Sequence, residues 1–245
     1  MISVCMATYN GEEFVIRQLE TIVKQLVDED EIIIIDDCST DGTINLIKEK
    51  YGSRIQIVKN QVNSGPIKSF EKAIQMAKGN YIFLSDQDDL WLDNKVEMVM
   101  NSFQNENADI IVHDSVVVDG DLNRLSNSWN SLNKNNLQQG LIGNLKKNAY
   151  TGCMMAFKKE MVNLILPIPE KVEMHDQWIA LVSIMEHKKI IIIEEPLMKY
   201  VRHGGNVTAI NKRTLKKQLK GRFNMLREIL NYRRNRNNNR VENLK

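Results

Sequence analysis

Cysteine is scarce in this sequence, and the few that occur exclude two kinds of small, cross-linked domain. Cys5, Cys38 and Cys153 are odd in number and lie far apart. They therefore form neither the paired set of a disulfide framework nor the spacing of a zinc site. We interpret them as reduced, strand-associated small apolar residues in a cytoplasmic protein.

Long apolar stretches are missing as well. No run approaches the roughly 18 apolar residues that cross a bilayer. The N-terminal stretch Met1-Ile2-Ser3-Val4-Cys5-Met6 has neither the basic region nor the cleavage site of a signal peptide. A chain of 245 residues with 42% hydrophobic content can bury a sizeable core. We therefore expect one large domain, or a domain with an appendage, in the cytoplasm.

Three loop motifs of well-known enzyme classes are absent. The sequence contains no G-x-G-x-x-G, no G-x-x-x-x-G-K-[ST] and no G-x-S-x-G. These absences argue against a dinucleotide-binding turn, a phosphate-binding loop and a serine nucleophile elbow. A phosphate group bound by this protein would have to be neutralised by a metal ion instead.

Charge is distributed unevenly behind a net value of +2. From Lys212 onward there are twelve Lys and Arg against two Glu, whereas the preceding residues carry 21 basic and 29 acidic side chains. The acidic body argues against a nucleic-acid partner, and the basic tail points to an anionic one.

The tail also shows a helical pattern. Its apolar residues recur every three or four positions among Lys and Arg, which predicts a basic amphipathic helix over 212–234. Such a helix suits an anionic membrane surface. The alternative is a helix that packs on the body or on a second subunit. Residues 235–245, rich in Asn and Arg, are expected to be disordered. The apolar residues of this pattern are Leu215, Leu219, Phe223, Leu226 and Leu230.

Strands and helices alternate four times in the first 105 or so residues. This alternation predicts a doubly wound α/β sheet with right-handed crossovers, in which ligands bind beyond the carboxyl ends of the strands. The run at 32–35, β-branched at every position, is typical of a strand covered on both faces. The predicted strands are Ile2–Ala7, Ile32–Ile35, Ile55–Lys59 and Asn80–Leu84.

Polar residues gather at three of these strand ends. They are Thr8-Tyr9-Asn10, Asp36-Asp37 and Asp86-Gln87-Asp88-Asp89. Clustered carboxylates repel and raise one another's pKa values, so folding does not favour the last group. A bound cation would remove the repulsion, and hard oxygen ligands suit Mg²⁺ or Mn²⁺. The alternative is a solvated acidic turn with a helix cap.

Four motifs in this order resemble the family-2 glycosyltransferases. They are A-T-Y-N-G from Ala7, I-D-D-C-S-T-D-G-T from Ile35, N-S-G from Asn63 and A-K-G-N-Y-I-F-L-S-D-Q-D-D-L-W from Ala77. These are inverting enzymes of the GT-A fold that use nucleotide-diphosphate sugars. The S-D-Q-D-D-L-W form also resembles the bacterial rhamnosyltransferase-like branch.

The resemblance covers roughly residues 1–205 and implies a domain plan. The GT-A fold has a mostly parallel central sheet with helices on both faces. A catalytic domain would occupy 1–211, with a nucleotide-binding half at 1–105 and an acceptor half at 106–211. The basic helical tail at 212–245 would follow it.

The resemblance also implies where the nucleotide binds. Thr8, Tyr9 and Asn10 would line the base and ribose, with the Tyr9 ring offering a stacking face. Asp37 would accept a hydrogen bond from the imide of uracil or thymine. Asp36 is either functional or a structural, buried carboxylate that backbone N–H groups satisfy.

Metal and diphosphate roles follow from the same resemblance. Asp86 and Asp88 form the D-x-D pair, with Asp88 as the direct ligand of Mg²⁺ or Mn²⁺, Asp86 nearer the ribose and Asp89 ambiguous. His203 would complete the metal shell and Arg202 would steady the diphosphate, although each could equally be structural.

The catalytic base is expected later in the chain. Asp176, at the start of a predicted helix, matches the family's acidic motif and would be the general base; an ordinary helix cap is the alternative. Tyr150–Phe157 is predicted as a strand, with Gly152 where a ligand or backbone comes close. The resemblance implies that Gly152 lies under the donor sugar. His113 either touches the sugar or is an interior histidine, and Trp129 either stacks on a sugar or anchors its loop.

Together these features predict an inverting transferase. It would move a sugar from dTDP-rhamnose or a UDP-hexose to a hydroxyl of a glycan or lipid-linked saccharide in bacterial surface polysaccharide synthesis. The enzyme would be cytoplasmic and peripheral on the inner face of the membrane. A sugar nucleotidyltransferase is the first alternative, although the loop at Ala7–Gly11 lacks the basic charge that it needs. A non-catalytic sugar-nucleotide binder is the second.

Overall fold

The computed structural model describes residues 1–204 and 214–242, and its strands form one mixed sheet. The strands are β1 (Ile2–Thr8), β2 (Glu31–Asp36), β3 (Ile55–Lys59), β4 (Tyr81–Ser85), β5 (Leu90–Trp91), β6 (Ile110–Asp119), β7 (Arg124–Ser126), β8 (Met155–Lys158) and β9 (Ile190–Arg202). The helices are α1 (Val15–Val23), α2 (Thr43–Tyr51), α3 (Pro66–Met76), α4 (Lys95–Glu106), α5 (Trp129–Asn133), α6 (Gly140–Lys146), α7 (Val162–Ile165), α8 (His175–Met185) and α9 (Leu215–Glu242).

The sheet divides into a parallel part and a mixed part. Its order is β3-β2-β1-β4-β8-β6-β9-β5, with β7 paired to β6. The strands β3, β2, β1 and β4 are parallel neighbours, which confirms the four predicted strands. β8 runs antiparallel to both β4 and β6, and β9 lies parallel to β6. The carboxyl ends of β1, β2 and β4 therefore meet at one edge.

Helices cover both faces of the sheet. In β2, Ile33 and Ile35 face the layer that contains α3, α8 and α9, while Ile32 and Ile34 face the layer that contains α1, α2 and α4. All four side chains are fully buried. This confirms that a β-branched run without polar alternation marks a strand covered on both sides.

The tail is a helix that packs on the body along one side. Met225 and Ile229 of α9 are buried in the same apolar layer as α8. Arg236 pairs with Glu186 through two hydrogen bonds, of 3.0 and 2.9 Å. The disorder expected for 235–245 is wrong over 235–242, because α9 continues to Glu242. Glu186, the residue that follows α8, holds Arg236 near the start of this Asn-rich segment. Lys212, Arg213 and the predicted domain boundary at 211 lie outside the described residues.

No helix in the described part of the chain is long and apolar enough to cross a membrane. The three cysteines are free thiols, but only Cys5 lies in a strand. Cys38 follows β2 in a left-handed backbone conformation with φ of 74°.

Candidate functional site

The acidic loop after β4 is held at both of its ends. At the start, Gln18 of α1 donates to the hydroxyl of buried Ser85 at 2.8 Å. At the end, β5 pairs antiparallel with β9, and the backbone N–H of Val201 donates to Oδ1 of Asp89 at 3.0 Å. The loop therefore has a fixed course between α1 and the end of β9.

The pairing of β5 with β9 brings Asp88 and His203 together. Nε2 of His203 lies 2.7 Å from Oδ2 of Asp88, although 115 residues separate them. The His203 ring stacks on Phe14 with a centroid distance of 4.3 Å, which fixes its orientation. Arg202 ends β9 and is half-buried.

Asp86 and Asp89 form an acidic pair beside Cys153. One ligand atom from each of these three residues lies within 4.8 Å of the others. Burial, and next the charge of Asp88, raise the pKa of Asp86 to about 7. The same two causes raise the pKa of Asp89 well above its usual value, and Oδ2 of Asp89 has no hydrogen-bond partner among the described residues.

This set of donors fits a hard divalent cation. Carboxylate oxygens are the ligands that Mg²⁺ and Mn²⁺ prefer. Burial raises the pKa of the Cys153 thiol, so Cys153 stays protonated and is a poor ligand. A cation bound by the carboxylates would remove the repulsion that raises their pKa values.

A buried lysine lies next to the acidic pair. Lys95, at the start of α4, is 1% exposed and donates to the carbonyl of Cys153 at 3.0 Å. Its ammonium also lies 4.2 Å from the centroid of the Trp91 ring. Burial lowers the pKa of Lys95 to about 7, against the opposing effect of Asp89 and Asp86. The sequence gives no signal for Lys95, because a lysine in the first turn of a helix usually lies in solvent.

Asp176 lies in the first turn of α8 and is 5% exposed. Its carboxylate accepts hydrogen bonds from the Asn148 side chain at 2.9 Å, from the Gln177 N–H at 2.6 Å and from the Gly152 N–H at 3.2 Å. Burial raises its pKa despite these donors. Gly152, which donates to Asp176, directly precedes Cys153, whose thiol lies within 4.8 Å of a carboxylate oxygen of Asp86.

The side chain of His175 leaves no room for a Cβ at Gly152. A Cβ at this position would lie 2.6 Å from Nε2 of His175. His175 is held by stacking on Phe70 at 4.4 Å, and burial lowers its pKa. Gly152 begins a 3-10 turn that ends at Met154, so the prediction of a strand over Tyr150–Phe157 is wrong before Met155. The turn points the Gly152 N–H at Asp176. In a strand, this N–H would donate to a neighbouring strand instead.

On the nucleotide side, Asp36 is wholly internal. It accepts from the Thr8 hydroxyl at 3.1 Å and from the Ser39 hydroxyl and N–H at 2.5 and 2.9 Å. Thr8 is 1% exposed, so its side chain faces Asp36, whereas Tyr9 is 49% exposed. The structure thus gives Asp36 and Thr8 a clear packing role and leaves the Tyr9 ring open to a ligand.

Asp37 organises the loop before α3. Its Oδ1 accepts from Asn60 and from the Ser64 N–H, both at 2.9 Å, and its Oδ2 accepts from the Gly65 N–H at 2.7 Å. Each carboxylate oxygen has two lone pairs, so Oδ2 can accept one more donor. The N–H of Asp37 also donates to the Thr8 carbonyl at 2.8 Å, which joins this loop to the first one.

Gln87 connects the first loop to the acidic loop. Its Oε1 accepts from the Tyr9 N–H at 2.9 Å, and its Nε2 donates to the Tyr9 carbonyl at 3.1 Å. Gly11 is needed beside it, because a Cβ there would lie 2.3 Å from Oε1 of Gln87. Asn10, with φ of 46°, accepts from the Thr40 N–H at 2.9 Å and so fixes the same loop. Gln87 was not singled out in the sequence, since an amide among three carboxylates gave no signal.

Two ambiguous side chains of the sequence are interior residues. Trp129 is 8% exposed, and its indole N–H donates to Thr151 at 3.0 Å, so it anchors its segment. His113 is 1% exposed, and its Nδ1 lies 2.7 Å from the carbonyl of Asp114.

Comparison with known proteins gives one family. The model of "Glycosyl transferase family 2" matches residues 3–166. Over 124 residues the chain is 31% identical to the UDP-Glc:alpha-D-GlcNAc-diphosphoundecaprenol beta-1,3-glucosyltransferase WfgD of Escherichia coli, covering 48% of this chain and 49% of WfgD. The matched region spans less than half the length of this and similar curated relatives.

Solved structures share the fold at low identity. The S. aureus TarS fragment 1–349 in complex with UDP-GlcNAc superposes with a TM-score of 0.73 and 19% identity, covering 94% of this chain and 66% of that one. The mannosyltransferase PcManGT of Pyrobaculum calidifontis, in complex with GDP-Man and Mn²⁺, gives a TM-score of 0.60 and 18% identity, covering 84% and 58%. At these identities the likeness shows a common fold.

Proposed function

Because the chain belongs to glycosyl transferase family 2 and has the GT-A fold, we propose that it transfers a sugar from a nucleotide-diphosphate donor to a hydroxyl group, with inversion at the anomeric carbon. One observation carries the proposal. Hydrogen bonds join Asp37 to the loop of Thr8 and Tyr9, and that loop to Gln87 of the acidic loop. Ligand atoms of Asp86 and Asp89 lie within 4.8 Å of that of Cys153, and the neighbouring Gly152 N–H donates to Asp176.

Tyr9 and Asp37 are proposed to bind the base. Tyr9 is exposed enough to stack on it. Oδ2 of Asp37 has capacity for the imide N–H that uracil and thymine share, so UDP and dTDP sugars both fit. WfgD is named for UDP-Glc, and TarS was crystallised with UDP-GlcNAc, which favours a UDP-hexose over dTDP-rhamnose. The side chains of Thr8 and Asn10 would support this site by fixing the backbone of the loop that contains Tyr9.

The acidic loop is proposed to hold Mg²⁺ or Mn²⁺. Asp88 would be the direct ligand, with Asp86 and His203 beside it. An ion bound there supplies Lewis-acid stabilisation of the negative charge that grows on the β-phosphate. Arg202, at the end of β9, would contact the diphosphate, and Gly152 would lie beneath the donor sugar.

Asp176 is proposed as the general base. Its buried carboxylate would accept the proton of the acceptor hydroxyl while the hydroxyl oxygen attacks the anomeric carbon. The bond from that carbon to the β-phosphate oxygen breaks in the same displacement, and the nucleoside diphosphate leaves. Hydrogen bonds from Asn148, Gln177 and Gly152 hold the carboxylate in place. General-base assistance of this kind contributes about 10²–10⁴-fold.

A lipid-linked saccharide is the proposed acceptor. WfgD is named for a GlcNAc-diphosphoundecaprenol acceptor, which supports a place in bacterial surface polysaccharide synthesis. Such an acceptor would be met by a peripheral enzyme on the inner face of the membrane. We assign nucleotide binding to residues 1–105, acceptor binding and the base to 106–211, and the tail to a separate role.

The test is a panel of nucleotide sugars. Each is screened in Mn²⁺ by thermal shift, and the binders are incubated with glycan and lipid-diphosphate saccharide acceptors. Release of UDP or dTDP with a glycosylated acceptor is expected. Release of pyrophosphate from a nucleoside triphosphate and a sugar phosphate would instead indicate a nucleotidyltransferase. A thermal shift without turnover on any acceptor would indicate a non-catalytic binder.

A further inference from the structure

An apolar stripe on α9 faces away from the body of the protein. It consists of Leu219, Phe223, Leu226 and Leu230, which are 62%, 67%, 42% and 57% exposed. They recur at intervals of three and four residues, so they lie within an arc of about 60° on the helix surface. Four large apolar side chains in one row on an exposed helix mark an interaction surface.

The stripe differs from the side by which α9 is attached. Met225 and Ile229 are buried against α6 and α8 and lie about 130° and 90° around the helix from the middle of the stripe. Packing on the body, which was one of the alternatives for this tail, therefore accounts for one side of α9 and leaves the stripe unexplained.

Basic residues border the stripe on both sides. Arg222 and Arg233 follow its edge nearer the body, and Lys220 and Arg227 follow the other edge; all four are exposed. Over its whole length α9 has nine Lys and Arg against two Glu. An apolar row between two cationic rows is the pattern of a helix that lies in the headgroup layer of an anionic membrane.

A groove extends the apolar surface beside the stripe. It has a volume of about 520 Å³ and runs between α6, α8 and α9. Leu226 and Leu230 belong to both the stripe and the groove, and Leu141, Leu145 and Ile184 form the opposite wall. The apolar area offered to a bilayer is thus wider than a single row.

We propose that this stripe, with its two basic borders, binds the protein to a membrane that contains anionic lipids. Charge complementarity selects this occupant over a second copy of the chain. In a two-fold symmetric contact the same patch meets itself, so the basic borders of the two copies would face each other and repel.

This proposal rests on the proposed function, in which the acceptor is a lipid-linked saccharide: binding to the membrane would bring the enzyme to that acceptor. α9 lies close to the predicted base, because a Cβ at Gly221 would lie 2.6 Å from Oε2 of Glu173, three residues before Asp176. Gly221 lies about 170° around the helix from the stripe, so α9 contacts the segment before Asp176 by one face and leaves the stripe on the opposite face for the membrane.

The test is co-sedimentation of the full chain with vesicles of phosphatidylglycerol and phosphatidylcholine, or of phosphatidylcholine alone. The variant is Phe223→Ser/Leu230→Ser. The matched control, Leu125→Ser/Leu132→Ser, removes two other exposed apolar side chains, of 56% and 46% exposure, which belong to β7 and α5. Thermal unfolding and UDP binding are measured for all three proteins.

We expect salt-sensitive binding to the phosphatidylglycerol vesicles and weak binding to phosphatidylcholine alone. Affinity should fall about tenfold in Phe223→Ser/Leu230→Ser and stay unchanged in the control. Absence of vesicle binding, equal binding by both variants, or a dimer that Phe223→Ser/Leu230→Ser dissociates in sedimentation velocity would each overturn the proposal. Vesicle binding with this variant pattern but no UDP binding would support the membrane surface and refute the proposed function.

Discussion

Nε2 of His203 lies 2.7 Å from Oδ2 of Asp88, and this contact joins the end of β9 to the acidic loop after β4. The contact exists because Leu90 and Trp91 pair with Lys199 and Met198. A short strand of two residues therefore decides which late residues reach the acidic cluster.

Asp88→Ala should abolish metal-dependent turnover. We expect the rate of donor cleavage to fall by about 100-fold or more, because a lost ligand removes several kcal/mol of charge stabilisation. Mn²⁺ binding, followed by isothermal titration calorimetry, should be lost in parallel. The control is Asp93→Ala, which removes an exposed carboxylate of the same segment that pairs with Lys24. Unchanged Mn²⁺ affinity in Asp88→Ala would refute the ligand assignment.

Asp176→Asn should reduce kcat while donor binding persists. We expect a fall of about 10²–10⁴-fold in kcat with a similar Kd for UDP. The change removes the proton acceptor but leaves the proposed uracil site at Tyr9 and Asp37 intact. The amide turns one end of the carboxylate into a donor, so some stability is lost as well. Exposed Glu170→Gln is the control. A kcat within threefold or so of the wild-type value would exclude Asp176 as the base.

Gly11→Ala and Gln87→Ala should weaken donor binding to a similar extent. The added Cβ would displace the Gln87 side chain from Tyr9, which costs the same two hydrogen bonds as removing that side chain. Each change should raise the Kd for UDP by about tenfold. The double variant should bind no worse than either single one, because both act through one contact. Additive losses would show that Gly11 and Gln87 act separately.

Stability without metal should fall as pH rises from about 4 to 7. An unfolded aspartate has a pKa of about 3.9, while the folded pKa of Asp86 is raised to about 7 and those of Asp89 and Asp176 are also raised. In this window the folded protein binds more protons than the unfolded chain, so the unfolding free energy decreases with pH, by about 4 kcal/mol at most for Asp86.

Denaturant unfolding in EDTA at pH 4, 5, 6 and 7 measures this trend. Mn²⁺ should reverse it near pH 7, because ion binding favours the ionised carboxylates. If the unfolding free energy of Asp86→Asn decreases with pH as much as that of the wild type, groups other than Asp86 cause the decrease.

The sequence predicted the first half of the fold well, for a local reason. The run Ile32–Ile35 and the polar residues that follow each early strand are signals contained within a few positions, and parallel strands place those ends at one edge. β8 has no comparable signal, since its position between β4 and β6 depends on antiparallel partners far away in the chain.

The sequence indicates candidate site residues where the residue type alone points to a chemical role. It gives no signal where the role of a residue depends on packing. Carboxylates after strands indicated Asp37 and Asp88, and the resemblance to the family's acidic motif indicated Asp176. Nothing in the local pattern of Lys95 or Gln87 distinguished them from solvated side chains, because their partners, the Cys153 carbonyl and the Tyr9 backbone, are remote in sequence. The end of α9 was misjudged for the same reason.

The most direct test of the account is the anomalous diffraction of a crystal grown with Mn²⁺ and UDP. We predict a Mn²⁺ peak within coordination distance of a carboxylate oxygen of Asp88 and next to the UDP diphosphate. We also predict the uracil at Tyr9 and Asp37, with Asp176 across the same cleft. Mn²⁺ bound away from Asp88, or UDP bound elsewhere with Asp37 and Asp176 on separate surfaces, would contradict it.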